Sequence, residues 1–253
     1  MADTQTMQAY AQNIDAYKAL VEDMPENPHL DRFLALLADG ADILDLGCGV
    51  GHASAVMRDR GFVITCMDAS PDMIDAAQHL HGLAVLQRNF TDLDARDAFD
   101  GIWASYSLLH APKAEMPGNL QRIYAALRVG GTCYIGLKLG DSEERDAVGR
   151  FYAYYTEQAL AELFGAAGFD ILDCRIDESR GMLGKMDKGL HFMLRKYMCS
   201  RTGRAIIPLT RPTAPPSAGH CINTSSVSDV PGGLCHIPRH QNPDRQTAAN
   251  HRH

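Results

Sequence analysis

Three glycines at alternate positions, Gly47, Gly49 and Gly51, follow the short run Ile43-Leu44-Asp45-Leu46 and lead into a helix-forming stretch from His52 to Arg60. Glycine reaches positive φ without strain and has no Cβ, so a ligand can lie against its bare backbone. A helix that starts there adds N–H groups with no intrahelical partner. Strand, glycine turn and helix start together make a nucleotide-binding arrangement, and the neighbouring residues decide which nucleotide. A dinucleotide site calls for another glycine three residues after the second, beside a pyrophosphate. That position is His52. Asp45, just before the first glycine, would repel a pyrophosphate and suits a ligand that carries positive charge. A second carboxylate, Asp68, ends the apolar run Phe62 to Met67, at about the separation of an acid that takes ribose hydroxyls. Two hydroxyls on one carboxylate make charge-assisted bonds. Further along, His110 offers an imidazole that can remove a proton near neutral pH or simply bond a loop carbonyl.

The stretch from Asp45 to Gly51, acid-x-Gly-x-Gly-x-Gly, resembles motif I of the class I S-adenosylmethionine-dependent methyltransferases. Asp68-Ala69-Ser70-Pro71-Asp72-Met73 resembles that family's second motif, and Ala98 to His110 its fourth strand and exit. The resemblance covers about residues 25–196. It implies an α/β fold, a doubly wound, mostly parallel seven-stranded sheet. It also implies S-adenosyl-L-methionine as cofactor, bound by Asp45, Gly47, Cys48 and Gly49 at the turn and by Asp68, Ala69 and Ser70 after the second strand. Met73 is placed on the adenine face, with Asn89 and Phe90 beside it. Many relatives have an acid at Asn89, whose amide makes only a neutral bond to the adenine amino group. Ser105, Tyr106 and His110 would line the pocket mouth, with His110 as the catalytic candidate. No metal is implied. The implied reaction is in-line methyl transfer to a small-molecule acceptor. The alternatives are a non-catalytic binding protein with the same fold and a dinucleotide-dependent oxidoreductase.

Around these residues the elements follow from pattern. Tyr10, Ile14, Tyr17, Leu20 and Val21 recur at helical spacing, giving an N-terminal helical cap over residues 1–24, with Tyr10 or Tyr17 closing the pocket. Asn27-Pro28 reads as a helix cap, and that helix ends at Gly40. Strand three is Leu83 to Leu86. A helix spans Pro117 to Leu127, and Arg128 to Gly131 turns into strand five, Thr132 to Leu137. Lys138 to Arg150 is a charged loop beside the transfer pocket and a candidate substrate lid. Thr156 caps the next helix. Strand six is Asp170 to Arg175, and strand seven, His191 to Arg195, is reached through a loop from Ser179 to Gly189. The working domain is residues 25–196.

The chain has 253 residues, 45% of them hydrophobic, and a net charge of −7. The acidic body argues against nonspecific nucleic-acid binding, which needs a basic face. No apolar run reaches the roughly 18 residues of a membrane span, and the N-terminus carries no secretory signal. Seven irregularly spaced cysteines fit reduced thiols in a cytoplasm. From Tyr197 the composition changes: seven of the 12 prolines and five of the 11 histidines fall in 197–253. This part reads as a disordered tail, and its Cys221, Cys235, His236 and His240 lack the paired short spacing of a zinc site. Oligomeric state is not legible.

Overall fold

Residues 3–22, 27–180, 184, 186–197 and 222–223 are described by the computed structural model of the chain. The expectations for the rest of 197–253, the four-residue Cys/His group included, lie outside the described residues.

The first strand, β1 (Asp42–Leu46), is buried along nearly its whole length, as its apolar run predicts. It runs into α4 (His52–Asp59) through the glycine turn. Three helices precede it: α1 (Thr4–Gln12), α2 (Ile14–Glu22) and α3 (Pro28–Leu34). Asn27 caps α3, its side chain accepting from the His29 and Leu30 amides. The helix is shorter than expected, because the Leu36 and Leu37 amides bond carbonyls three residues back and tighten the last turn. The following elements are β2 (Val63–Asp68), α5 (Pro71–His81), β3 (Val85–Gln87), β4 (Phe99–Ser105), α6 (Met116–Ala126) and β5 (Leu127–Lys138).

Strand β5 begins five residues earlier than the sequence suggested. The Arg128–Gly131 turn survives as an irregularity inside it: pairing with β4 jumps from Phe99–Leu127 to Gly101–Thr132, with Gly130 at φ 83°. The charged loop is also a correction. Glu143–Arg145 (β6) and Phe151–Ala153 (β7) form an antiparallel hairpin. Then come α7 (Glu157–Ala167), capped by Thr156 as expected, and two long strands, β8 (Phe169–Arg180) and β9 (Met186–Lys196). Their antiparallel pairing extends from Phe169–Lys196 to Arg180–Met186, so most of the expected Ser179–Gly189 loop is strand.

The sheet order is β10-β8-β9-β5-β4-β1-β2-β3, where β10 (Ile222–Asn223) is a two-residue parallel edge on β8. Pairings from β3 to β5 are parallel, and β9 is antiparallel to both neighbours. This is the expected seven-stranded, doubly wound sheet with a short eighth strand at one edge. The order reverses between β1 and β4, and ligands of such sheets bind beyond the strand carboxyl ends at that reversal.

One face of the sheet packs Leu120, Ile123, Leu160 and Phe164 over β4 and β5. The other packs Leu30, Phe33 and Met57 against Trp103, Tyr134 and Met193. The Trp103 and Tyr134 rings stack at 3.8 Å. Both clusters hold β1 and β4 rigidly where they open into the crevice. Cys48, Cys66 and Cys133 are free, but Cys174 is disulfide-bonded, so the expectation of reduced thiols fails there. Among the described residues no helix is long and apolar enough to cross a membrane.

Candidate active site

Beyond the carboxyl ends of β1, β2 and β4 lies a cavity of about 120 Å³ that opens to solvent. Its floor is the glycine turn. Gly47, Gly49 and Gly51 all have positive φ, at 77°, 54° and 82°, but each is needed for a different reason. A Cβ on Gly47 would lie 2.3 Å from the Ser107 Cβ. A Cβ on Gly49 would reach the Tyr17 hydroxyl at 3.3 Å. A Cβ on Gly51 would meet Leu83 at 2.5 Å, so the third glycine serves helix packing and does not line the cavity. The Gly47 and Cys48 amides donate to the Met67 carbonyl, which ties the turn to β2.

Asp68, at the end of β2, lines the cavity. Its two oxygens accept from the Gly49 amide at 2.8 Å and the Ser70 amide at 2.9 Å. Burial raises this carboxyl's pKa, and those amides oppose the shift. Asp68 therefore joins the turn after β1 to the turn after β2 while still facing the ligand space. Ala69, Ser70 and Met73 continue the wall, with Ser70 capping α5 through the Met73 amide. Asn89 and Phe90 close another side. Asn89 also bonds Asp92 through its backbone and side-chain nitrogens, as the cap of a short helical turn. Ser105, Tyr106, Ser107 and His110 form the side beyond β4.

The roof comes from the N-terminal helices: Thr6, Met7, Tyr10 and Tyr17 all line the cavity. Their anchorage runs through the β6–β7 hairpin. Arg145 forms a two-pronged ion pair with Asp3, both contacts at 2.8 Å, and the Phe151 amide donates to the Thr6 hydroxyl at 2.8 Å. The Arg150 guanidinium lies 5.1 Å from the Tyr10 ring centre. The 138–155 segment itself does not line the cavity; it holds α1 over it.

A family model described as a methyltransferase domain matches residues 27–173. The chain belongs to this methyltransferase family. It is 32% identical over 151 residues to the O-methyltransferase resE of Aspergillus sclerotiorum, covering 53% of this chain and 56% of that protein. It is 32% identical over 124 residues to the malonyl-[acyl-carrier protein] O-methyltransferase of Serratia marcescens, covering 48% and 46%. The chain thus spans about half the length of the curated relatives it matches. A solved neighbour is the Burkholderia thailandensis 1,6-didemethyltoxoflavin-N1-methyltransferase, with its substrate and S-adenosylhomocysteine bound. The TM-score is 0.64 at 25% identity, covering 77% of this chain and 88% of that one. A methyltransferase structure from Methanosarcina mazei shares the fold, with a TM-score of 0.61 at 19% identity, covering 69% and 100%.

Two of the expected cofactor contacts are set back. Neither Asp45 nor Cys48 lines the cavity. Asp45 is 3% exposed and accepts from the Ser54 hydroxyl at 2.6 Å, facing α4. Strand alternation sends Leu44 and Leu46 into the main core on one face of the sheet and turns Asp45 to the other face, toward α4. The expected pair of carboxylates facing one ligand is therefore corrected to Asp68 alone. Cys48 lies behind the same turn, its thiol 3.7 Å from the Gly49 carbonyl.

Burial pushes the Asp45 carboxyl up to about 7 from its ordinary 3.8, against the opposing Ser54 hydrogen bond. The folded chain then holds this proton to higher pH than the unfolded one. Its contribution to stability is full below about pH 4 and is lost as the pH rises to about 7. Asp45→Asn should remove that slope. Denaturant titrations should find the variant close to the parent near pH 4 and more stable at pH 8, by at most about 4 kcal/mol. Parallel pH profiles would contradict the assignment.

His110 sits at the mouth with both nitrogens engaged. The Phe151 carbonyl, 2.7 Å from Nδ1, can only accept, so Nδ1 carries the proton. Nε2 then accepts from the Tyr10 hydroxyl at 2.9 Å. Burial lowers the His110 pKa to about 4, so the ring is neutral at pH 7. Sequence reasoning missed Thr6, Met7, Arg88 and Ser107 as lining residues. The helical spacing that flagged Tyr10 and Tyr17 could have found Thr6, one turn before Tyr10.

Proposed function

We propose that this protein transfers a methyl group from S-adenosyl-L-methionine to an oxygen or nitrogen of a small-molecule acceptor. The observation that carries the reading is the Asp68 carboxylate, bonded to the Gly49 amide and facing the cavity at the strand-order reversal. The residues fit the cofactor. Gly47 and Gly49 leave backbone uncovered, Asp68 can accept ribose hydroxyls, and Met73 and Phe90 offer apolar surface to an adenine. Asn89 would meet the adenine edge. Asp45 would act on the turn through Ser54 rather than on the ligand.

When bound, the cofactor supplies a sulfonium methyl open to in-line attack. The chain's contribution is alignment, which supplies several kcal/mol when the reacting atoms are held at about 3 Å. Tyr10 and Tyr17 exclude water from above. Ser105, Tyr106 and His110 face the acceptor. With a pKa of about 4, His110 is too weak a base to deprotonate a neutral alcohol efficiently. The site therefore suits an acceptor that is acidic or already ionised, with His110 Nε2 as a hydrogen-bond acceptor once a ligand replaces the Tyr10 hydroxyl. The O- and N-methyltransferases among its relatives agree with this reading. A cytoplasmic site of action belongs to it: the free thiols Cys48 and Cys66 support it, and the disulfide at Cys174 counts against it.

The test is label transfer from methyl-tritiated S-adenosylmethionine to a panel of phenols, carboxylates and heteroaromatic N–H compounds. Turnover on at least one acidic acceptor is expected, with kcat/KM lowered about tenfold in His110→Gln. No transfer to any of them would count against the reading.

A further inference from the structure

Ser105, Gly136 and His191 stand side by side across the sheet. Ser105 ends β4 and pairs in register with Gly136 of β5, which pairs in turn with His191 of β9. Residues opposite one another on paired strands share a face. Gly136 leaves a gap in this row, and the Tyr134 hydroxyl fills it: a Cβ on Gly136 would fall 2.8 Å from that oxygen. There the Ser105 side chain hydrogen-bonds the Tyr134 hydroxyl, which lies 2.7 Å from His191 Nδ1. His191 Nε2 lies 2.6 Å from one oxygen of Asp177 on β8. His29 of α3 stacks on the His191 ring at 3.8 Å and lies 2.7 Å from the other Asp177 oxygen. The two imidazoles hold Asp177 well below the usual carboxylate range, so it is ionised and only accepts. His191 Nε2 therefore carries the proton, Nδ1 accepts from the Tyr134 hydroxyl, and Tyr134 accepts from Ser105. Ser105 lines the cofactor cavity, so one line of hydrogen bonds runs from the cavity wall to the Asp177 carboxylate.

We propose that Ser105 is a catalytic residue that takes the proton of the methyl acceptor and passes one through Tyr134 to His191. The proposal rests on the methyl-transfer reading above. An acceptor that keeps its proton at neutral pH needs an outlet for it. His110 serves poorly, because the partner behind its ring is the neutral Phe151 carbonyl. His191 has the Asp177 carboxylate in that place, and a charged partner stabilises an imidazolium more than a carbonyl does. Burial lowers the His191 pKa against the opposing Asp177 hydrogen bond, so the ring is neutral at rest and able to take a proton. As the acceptor oxygen bonds the methyl, its O–H bond breaks, and the bond from methyl to sulfur breaks toward sulfur. The acceptor proton goes to Ser105 Oγ, the Ser105 proton to Tyr134 Oη, and the Tyr134 proton to His191 Nδ1. After the product leaves, a proton returns along the same bonds to water in the vacated site. Tyr134 is 1% exposed and stacked on Trp103, which keeps solvent from the middle of the line.

The experiment is methyl-label transfer by the full chain to two probes, 4-nitrophenol, which is largely ionised at mildly alkaline pH, and phenol, which keeps its proton there. Tyr134→Phe retains the ring on Trp103 and removes only the hydroxyl. It should lower kcat on phenol about 100-fold relative to kcat on 4-nitrophenol, and Asp177→Asn should lower the same ratio about tenfold. Equal losses on both probes would overturn the relay and leave methyl transfer standing. No label on either phenol would overturn the relay as well, whereas the methyl-transfer reading falls only if the whole acceptor panel stays unlabelled. Nitrogen-15 NMR of the ligand-free parent reads the line of bonds without turnover. His191 should carry its proton on Nε2, with an Nδ1 signal that moves in Tyr134→Phe. A proton on Nδ1 in the parent would overturn the proposal.

Discussion

Gly47→Ala should abolish S-adenosylhomocysteine binding and destabilise the fold by about 2–5 kcal/mol. Two costs coincide at this position. The backbone sits at φ 77°, where an L side chain is strained. The new methyl would also lie 2.3 Å from the Ser107 Cβ. Ser107 cannot withdraw, because its hydroxyl donates to the Leu46 carbonyl at 2.6 Å and the residue is buried. Either the turn or the start of the 107–110 segment must shift, and both line the cavity. Gly40→Ala separates the two costs, since Gly40 has φ 70° with nothing within 4 Å of a new Cβ. That variant should lose only about 1–2 kcal/mol and bind normally. Denaturant melts and calorimetry on both check the claim, and equal losses would refute it.

The β1–turn–α4 unit was readable because its signals are local: an apolar run, glycines where φ turns positive, and a helix start. Asp68 was readable for the same reason, as a carboxylate ending a buried strand before Ser70-Pro71. Asp45 was misread because sequence spacing gives the acid's position along the strand and not its direction, and Ser54 on α4 claims it. The 138–155 segment looked solvated from its charges. Those charges instead pair with particular partners, Arg145 with Asp3 and Arg150 with Asp146, which composition does not reveal. The His29–Asp177 contact spans 148 positions of sequence, so no local pattern announces it. The long β8–β9 hairpin hid behind a polar stretch, where Lys138 pairs with Asp187 at 2.7 Å.

Asp68→Ala carries the other large effect. The substitution removes the acceptor of the Gly49 and Ser70 amides as well as the proposed ribose contact. A hydrogen bond to a charged group contributes about 1.5–3 kcal/mol, so losing two ribose bonds weakens binding by about 100-fold or more. Asp68→Asn keeps an oxygen that can take one amide but loses the charge. It should lie between parent and alanine in both affinity and stability, because its NH2 faces one of the two amides that Asp68 accepts.

Calorimetry of S-adenosylhomocysteine and, separately, NADH against the parent and Asp68→Ala is the most direct measurement. S-adenosylhomocysteine should bind the parent at one site and lose at least 100-fold in the variant, with no NADH binding to either. Binding of NADH in its place, or S-adenosylhomocysteine affinity untouched by the loss of Asp68, would contradict the assignment of this cavity.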